Sequence, residues 1–163
     1  MPAVGIGQPA GVGTLTFNIF EVRVDEVPPG FASPNIVPPG SSITLTTILE
    51  LTGSLAGVAG PAVTAPGAAV FHHPQRLEDG AMGPTLASGP ITPIAVPPGG
   101  DPAGLYFSSI TAPILTGVAG SGAPLSMAPG FAAGTFRLMT HYHGAAGTIL
   151  RALHDLTLVE VTP

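Results

Sequence analysis

The stretch Ile43–Leu51 reads ITLTTILEL, and it decides the fold class of this chain. Its odd-numbered positions are apolar except for Thr47, and its even-numbered positions are threonines apart from Ile48 and Glu50. A period of two is the pattern of a β-strand that buries one face in a core. The stretch therefore predicts a strand with a leucine-rich inner face and a weakly charged outer face.

Further segments show the same period, and two of them change which parity is apolar. One change falls near Ile19 and Phe20, and the other falls near Asp155 and Leu156. A β-bulge, or a strand that passes from one sheet to another, produces such a change. The further strands are predicted at Leu15–Val24, Ala68–His73, Gly104–Ile110, Thr135–His143 and Ile149–Val161. The only stretch that also allows a helix is Thr148–His154.

Glycine and proline are abundant, with 23 and 20 residues in a chain of 163, and they separate the strand segments. Short strands divided by such turns predict an all-β protein. We expect an antiparallel β-sandwich of about seven strands, immunoglobulin-like or jelly-roll-like, with long Gly/Pro/Ala loops. Residues 1–13 are predicted to be an extended N-terminal arm, and residues 14–163 a single domain.

Residues 37–73 and 96–143 contain similar motifs in the same order, namely VPPG, LTG and APG. This order is consistent with an internal duplication, or with coincidence in a chain so rich in these residue types. If the two stretches are related, each is a strand pair joined by a Gly/Ala loop. Both loops are then expected at one end of the sandwich.

Charge is scarce: the chain has four arginines, nine acidic residues and no lysine, a net charge of −5. Such a balance lacks the basic footprint of a nucleic-acid-binding protein, so no nucleic-acid partner is expected. The absence of cysteine excludes disulfides, thiolate catalysis and cysteine-ligated zinc. No grouping of nucleophile, base and acid is recognisable, and the sequence predicts a protein that is not an enzyme.

The five histidines are the candidates for chemistry. On an extended strand His141 and His143 share a face about 6.8 Å apart, which suits chelation of one metal ion. His72 is the third ligand of our candidate site, with His73 or His154 as alternatives. This hypothesis describes a cupin-like sandwich that holds a transition metal. The competing interpretation is that the even-numbered residues of the strand Thr135–His143 face the core, while its histidines form a polar but weakly charged outer surface.

Only 8% of the residues are charged, and the loops are unusually apolar. Obligate interfaces resemble a domain core cut in half, so these loops are expected to be covered by other subunits. The sequence thus predicts a structural subunit of a filament, shell, appendage or virion. This subunit is expected to assemble with itself and with other assembly subunits, and to need no cofactor. A third possibility, a small module that binds carbohydrate or an apolar ligand, is disfavoured by the lack of tryptophan. The predicted interface residues are Val4, Ile6, Val12, Leu55, Val58, Val118, Leu125 and Met127.

No segment of the sequence predicts a membrane span. The longest uncharged run, Pro102–Phe136, contains four prolines at positions 102, 113, 124 and 129, a density that spanning helices do not tolerate. The first residues lack the basic and apolar regions of a secretory signal. The expectation is an assembly made in the cytoplasm, with its final compartment left open.

Overall fold

The computed structural model describes residues 13–25, 35–38, 40–116 and 133–162. These residues form ten strands and one helix, so the all-β prediction is confirmed. The strands are β1 (Thr16–Asp25), β2 (Ile36–Val37), β3 (Ser42–Thr52), β4 (Ala69–Arg76), β5 (Leu86–Ala87), β6 (Thr92–Ile94), β7 (Leu105–Ile110), β8 (Ile114–Leu115), β9 (Gly134–His143) and β10 (Arg151–Val161), and the helix α1 is Ala56–Val63. Four strands have only two or three residues, too short to show a period, and this is why we expected about seven. The predicted N-terminal arm lies outside the described residues except for Gly13.

The strands belong to two sheets. Sheet A has the order β1-β3-β7-β6, with β8 also paired to β3. Sheet B has the order β2-β10-β9-β4-β5. All neighbours are antiparallel except β2, which runs parallel to β10. The sequence predicted the antiparallel character, whereas the strand order comes from the structure alone.

Strand β3 is central in sheet A, between β1 and β7. The inward side chains of Ile43, Leu45, Leu49 and Leu51 are all completely buried. The outward threonines and Ile48 are also buried, because side chains of the two neighbouring strands cover this face. Charged side chains are costly to bury, so a strand that is buried on both faces carries threonines on its outer face.

The predicted change of parity in β1 is a β-bulge. The pairing of β1 with β3 skips one residue, Phe20, between Ile19 and Glu21. Ile19 and Val22 therefore both face the core. Phe20 does not share that face, because its ring packs edge-on against Tyr106, 5.6 Å between centroids. Tyr106 lies outside both core clusters, so the bulge turns Phe20 to the outer face of sheet A.

The predicted change of parity in β10 is a second bulge. Asp155 and Leu156 together lie opposite one residue of β9, between the pairs His154–Thr140 and Thr157–Leu138. Both extra residues are exposed, and the buried positions of β10 resume at Thr157. Two residues facing one is the definition of a bulge, and it bends the strand locally.

The core lies between the two sheets and has two apolar clusters, each with residues from both sheets. One contains Leu49 and Tyr142, and the other contains Leu45 and Leu138. A layer of buried polar side chains separates the clusters: three of its members lie between inward apolar residues of their own strands, and Ser109 lies between Phe107 and the buried Thr111. This polar layer consists of Thr47 of β3, His72 of β4, Ser109 of β7 and Thr140 of β9.

Helix α1 was not anticipated, because its segment was read as a Gly/Ala loop. It follows Gly53, whose φ of +105° lies in the left-handed region that glycine adopts without strain. Tertiary contacts hold the helix: Val63 is completely buried, and the Tyr142 hydroxyl donates to its carbonyl oxygen at 3.2 Å. Packing therefore stabilises eight residues that would not form a helix alone.

The helix considered over Thr148–His154 is wrong. Residues from Arg151 onward belong to β10 and pair with β9, beginning with Arg151 opposite His143. A short isolated helix is marginal in water, whereas β9 offers a complete row of backbone partners.

The second of the two related loops expected at one end of the sandwich, residues 118–127, lies outside the described residues. Because β3 and β7 are antiparallel neighbours, the chain leaves them in opposite directions. The segment after β3 starts at Thr52, while the chain after β7 reaches Leu115 beside Ser42, at the other end of β3. The duplication itself stays a prediction.

Candidate functional site

The histidines of β4 and β9 lie side by side in the middle of sheet B. The two strands pair from Ala69 opposite His143 to Arg76 opposite Phe136. Residues directly opposite each other share a face of the sheet, and successive residues alternate between faces. Burial on β9 alternates accordingly, with Phe136, Leu138, Thr140 and Tyr142 inward. The interpretation of the even positions as the inner face is confirmed.

His72 points inward and is completely buried within the polar layer. Its Nδ1 lies 2.7 Å from Thr140 Oγ1, and its Nε2 lies 3.2 Å from Ser88 Oγ and 3.4 Å from Thr47 Oγ1. Since Thr47 belongs to sheet A, the imidazole links the two sheets. Every nitrogen of this buried ring has a partner, as a stable core requires.

Burial lowers the pKa of His72 from 6.5 to about 4, with smaller contributions from the neighbouring His73 and His141 rings. A charged imidazole in this place would lose its hydration and face two other imidazoles. The ring is therefore neutral near pH 7. In that form it offers one N–H donor and one acceptor, which its hydroxyl partners can satisfy.

His73 points to the opposite face, where it meets His141 of β9. His73 Nε2 lies 3.1 Å from His141 Nδ1, and the planes of the two rings differ by only 1°. On its other side, His73 Nδ1 lies 3.2 Å from the Thr85 hydroxyl. Phe71 stacks against His141 with 5.3 Å between ring centroids. Partial burial lowers the pKa of His141, and the neighbouring His73 and His143 lower it further.

The structure separates the residues of the predicted metal site. His141 and His143 share the outer face, but His72 lies inside the core, and His73 takes the place beside His141. His154, opposite the inward Thr140, bonds Thr157 Oγ1 through Nε2 at 3.1 Å. Among the described residues, no three histidine, aspartate or glutamate side chains are arranged to hold a metal ion. Two imidazoles, His73 and His141, do converge.

Exposed leucines form a row on β10, beside these histidines. Leu153 is 73% exposed, Leu156 is 81% exposed, and Leu158 is 46% exposed. Leu153 lies directly opposite His141 and Leu158 opposite Arg137, so the row belongs to the outer face of sheet B. We call Leu153, Leu156 and Leu158 the β10 row. Single exposed leucines are common on protein surfaces, whereas large contiguous apolar patches are typical of interaction sites.

Of the interface residues predicted from the sequence, Leu55 and Val58 lie in the described part of the chain. Both are at the start of helix α1, 38% and 80% exposed respectively. The remaining predicted positions, Val4, Ile6, Val12, Val118, Leu125 and Met127, lie outside the described residues. The β10 row can be recognised in the sequence from the alternation of side chains along a strand. Leu156 and Leu158 point outward because the bulge before Thr157 shifts that alternation by one residue.

Among the grooves on the surface of the described residues, two lie away from the histidines of sheet B. One, of about 490 Å³, separates Phe17–Phe20 of β1 from Arg151–Leu153 of β10. The other, of about 450 Å³, lies between helix α1 and β7 and is lined mainly by glycine, proline and aromatic residues, among them Gly60, Pro61 and Phe107. Neither groove contains the histidines of sheet B.

The chain matches no known protein family, and no curated protein was found to be similar to it in sequence. In the described residues, no helix has the length and apolar character needed to cross a membrane.

Proposed function

We propose that this chain is a non-enzymatic, immunoglobulin-like structural subunit that associates with itself through the outer face of sheet B. The strand orders support the immunoglobulin-like topology. In that fold one sheet has strands A-B-E-D and the other C-F-G. The orders β1-β3-β7-β6 and β4-β9-β10 correspond strand for strand. Jelly-roll connectivity, the other type expected from the sequence, has no such correspondence here.

The observation that carries the self-association is the β10 row. Three leucines between 46% and 81% exposed stand next to one another on a sheet whose other outward residues include Met139 and the ring of Phe71. Fully burying one leucine contributes about 1.5–3 kcal/mol. A second copy packed on this face therefore gains several kcal/mol that the monomer leaves in contact with water.

The exposed edge of β10 is poorly suited to pairing with a strand of a second copy. This favours association through the outer face of sheet B. Beyond β9, β10 has a described partner only at Glu160 and Val161, which pair with β2. The remaining edge is interrupted by the bulge at Asp155 and Leu156, and a bulge impairs pairing with an incoming strand. The same bulge turns Leu156 outward, which adds to the apolar face.

Hydrogen bonds among polar side chains support a structural role. His72 bonds Thr140 of its own sheet and Thr47 of the other sheet, and on the outer face of sheet A the Tyr106 hydroxyl donates to Glu50 while accepting from the backbone of Asp101. These groups are engaged in holding the fold together. The alternative, a cupin-like metal protein using His141, His143 and His72, is disfavoured because His72 faces the core.

The experiment is sedimentation velocity of the full chain between about 1 and 100 µM, comparing wild type with Leu153→Glu/Leu156→Glu. We expect wild type to sediment as a species of at least twice the 16.1 kDa chain mass. Two carboxylates in place of two buried leucines should weaken association by about 100-fold or more, since about 3 kcal/mol is lost.

Val58→Glu is the control, because it places one carboxylate on an exposed apolar residue of helix α1. Its association should equal that of wild type. A wild type that remains a monomer at the highest concentration contradicts the proposal. Loss of association in Val58→Glu alone would contradict the choice of face, and would favour the surface near α1.

A further inference from the structure

The His73–His141 pair occupies a rigid part of the molecule. Strand β9 is paired on both sides, with β10 and β4, and β4 is paired with β9 and with β5. The two imidazoles are thus carried by neighbouring strands whose register is fixed over eight residue pairs. Ligands on paired strands are held more precisely than ligands on loops, so little ordering is needed when an ion binds.

The separation of the two ring nitrogens matches the bite of one metal ion. His73 Nε2 and His141 Nδ1 are 3.1 Å apart. With metal–nitrogen bonds of about 2.0–2.1 Å, this separation corresponds to an N–metal–N angle of about 100°. That angle lies between the values for square-planar and tetrahedral coordination, the geometries that Cu²⁺ and Zn²⁺ take with imidazole ligands.

Thr85 supplies the support that a metal-binding imidazole uses. A ligating histidine commonly donates its other ring N–H to an oxygen atom, which fixes its tautomer and orientation. His73 Nδ1 lies 3.2 Å from the Thr85 hydroxyl. If Nδ1–H donates to Thr85, the lone pair is on Nε2, the atom that faces His141. Phe71 stacks against His141 and restricts the orientation of that second imidazole ring.

The surroundings on this face suit a late transition metal. Met139 is opposite His73 in register, so a thioether shares the outer face with the two imidazoles. Two arginines share this face: Arg137 donates to the side-chain oxygen of Gln75 at 2.9 Å, and Arg151, opposite His143, donates to the carbonyl oxygen of Leu150 at 2.7 Å. Imidazole binds copper, nickel and zinc, and Cu²⁺ is the strongest binder among divalent first-row ions.

We propose that His73 and His141 form a two-imidazole site that binds one late first-row divalent ion, with Cu²⁺ preferred, on the outer face of sheet B. A closed structural zinc site has four protein ligands, whereas this site has two and leaves the other positions to water. The site differs from the one predicted from sequence, because His73 replaces His72 and His143 is not a ligand. The site is a property of the single chain; because Leu153 lies opposite His141, a second copy on this face would displace that water, so the titration is made at a chain concentration at which wild type sediments as a monomer.

The test is titration of the full chain with CuCl₂, after dialysis against EDTA and into a weakly coordinating buffer. Calorimetry should give one ion per chain, and the electron paramagnetic resonance spectrum should show hyperfine coupling to two imidazole nitrogens. His73→Ala and His141→Ala should each weaken binding by at least about 10- to 100-fold, because loss of a ligand costs more than loss of a supporting group, for which that range is typical. ZnCl₂ should bind the same site more weakly.

Two histidine variants serve as controls. His154→Ala removes an imidazole from the opposite face, and its affinity for Cu²⁺ should be that of wild type. His143→Ala should remain within about threefold of wild type; a loss equal to that of His73→Ala would overturn the two-imidazole assignment. Unchanged binding in both His73→Ala and His141→Ala, or no binding to wild type at 1 mM Cu²⁺, would overturn the site altogether.

Folding is checked in the same samples. The replaced side chains of His73 and His141 lie on the outer face, so the metal-free variants should unfold thermally within a few degrees of wild type. His141→Gln keeps a polar group beside His73 and provides a second test if the alanine variant is unstable. Wild type should show a higher melting temperature with Cu²⁺, and the variants should not.

Discussion

His72 and His73 are consecutive in the chain, yet they have opposite environments. His72 is completely buried and bonds three hydroxyl groups, and its pKa is lowered to about 4. His73, half-buried on the outer face, meets one hydroxyl and one imidazole. The difference arises because strand side chains alternate between faces. In a chain with five histidines, the face that each one occupies determines whether it holds the fold together or is available to a ligand.

Replacing each of the two histidines by leucine tests this comparison most directly. His72→Leu leaves the hydroxyls of Thr47, Ser88 and Thr140 without their imidazole partner in a buried layer. Leaving buried polar groups unpaired should lower the free energy of unfolding by about 3 kcal/mol. His73→Leu should change it by about 0.5 kcal/mol or less. Urea unfolding in the presence of EDTA measures both, and similar losses in the two variants would refute the assignment of roles.

The pH dependence of stability sharpens the same comparison. Because the pKa of His72 is about 4 in the folded chain and 6.5 when unfolded, the unfolded state binds a proton more readily. The stabilising contribution is complete above pH 6.5 and is lost progressively as the pH falls toward 4. His72 alone should account for a loss of about 2 kcal/mol between pH 7 and pH 5.

His72→Gln isolates that contribution, since glutamine keeps hydrogen-bonding capacity but does not titrate. Urea unfolding at a series of pH values, again with EDTA, should give a shallower acid slope for the variant than for wild type. Parallel slopes would mean that His72 titrates normally in the folded chain.

The smallest effect concerns the inner face of β9 near helix α1. Tyr142→Phe removes the hydroxyl that donates to the Val63 carbonyl oxygen at 3.2 Å, while the buried ring remains. The free energy of unfolding should fall by about 1 kcal/mol. Hydrogen exchange of the α1 amides should increase more than that of β3. Equal changes in both elements would indicate that this bond does not hold the helix locally.

The sequence predicted well those features that depend on a single strand. The inner face of β3 and the two bulges, near Phe20 and before Thr157, all follow from the period of apolar residues along one segment. Alternation also required His72 and His73 to point to opposite faces. The β10 row follows from the same parity, once the bulge is placed.

The features that depend on two or more segments were beyond the sequence pattern. Which histidine meets His141 is set by the register of β4 on β9, and no local pattern encodes that register. Helix α1 has a proline, two glycines and no side-chain cap, so tertiary contacts such as that with Tyr142 decide its conformation. The strand order of the two sheets is likewise a property of long-range pairing.

The buried polar layer also fixes the alignment of the strands. A strand displaced by two residues would still present apolar side chains inward, so leucines and valines alone discriminate poorly against that error. In this core, the same displacement would bring Thr47 or His72 against leucines of a neighbouring cluster and leave their polar atoms unbonded. The hydroxyls and the imidazole thus raise the free energy of mispaired forms of either sheet, which the apolar side chains alone would tolerate.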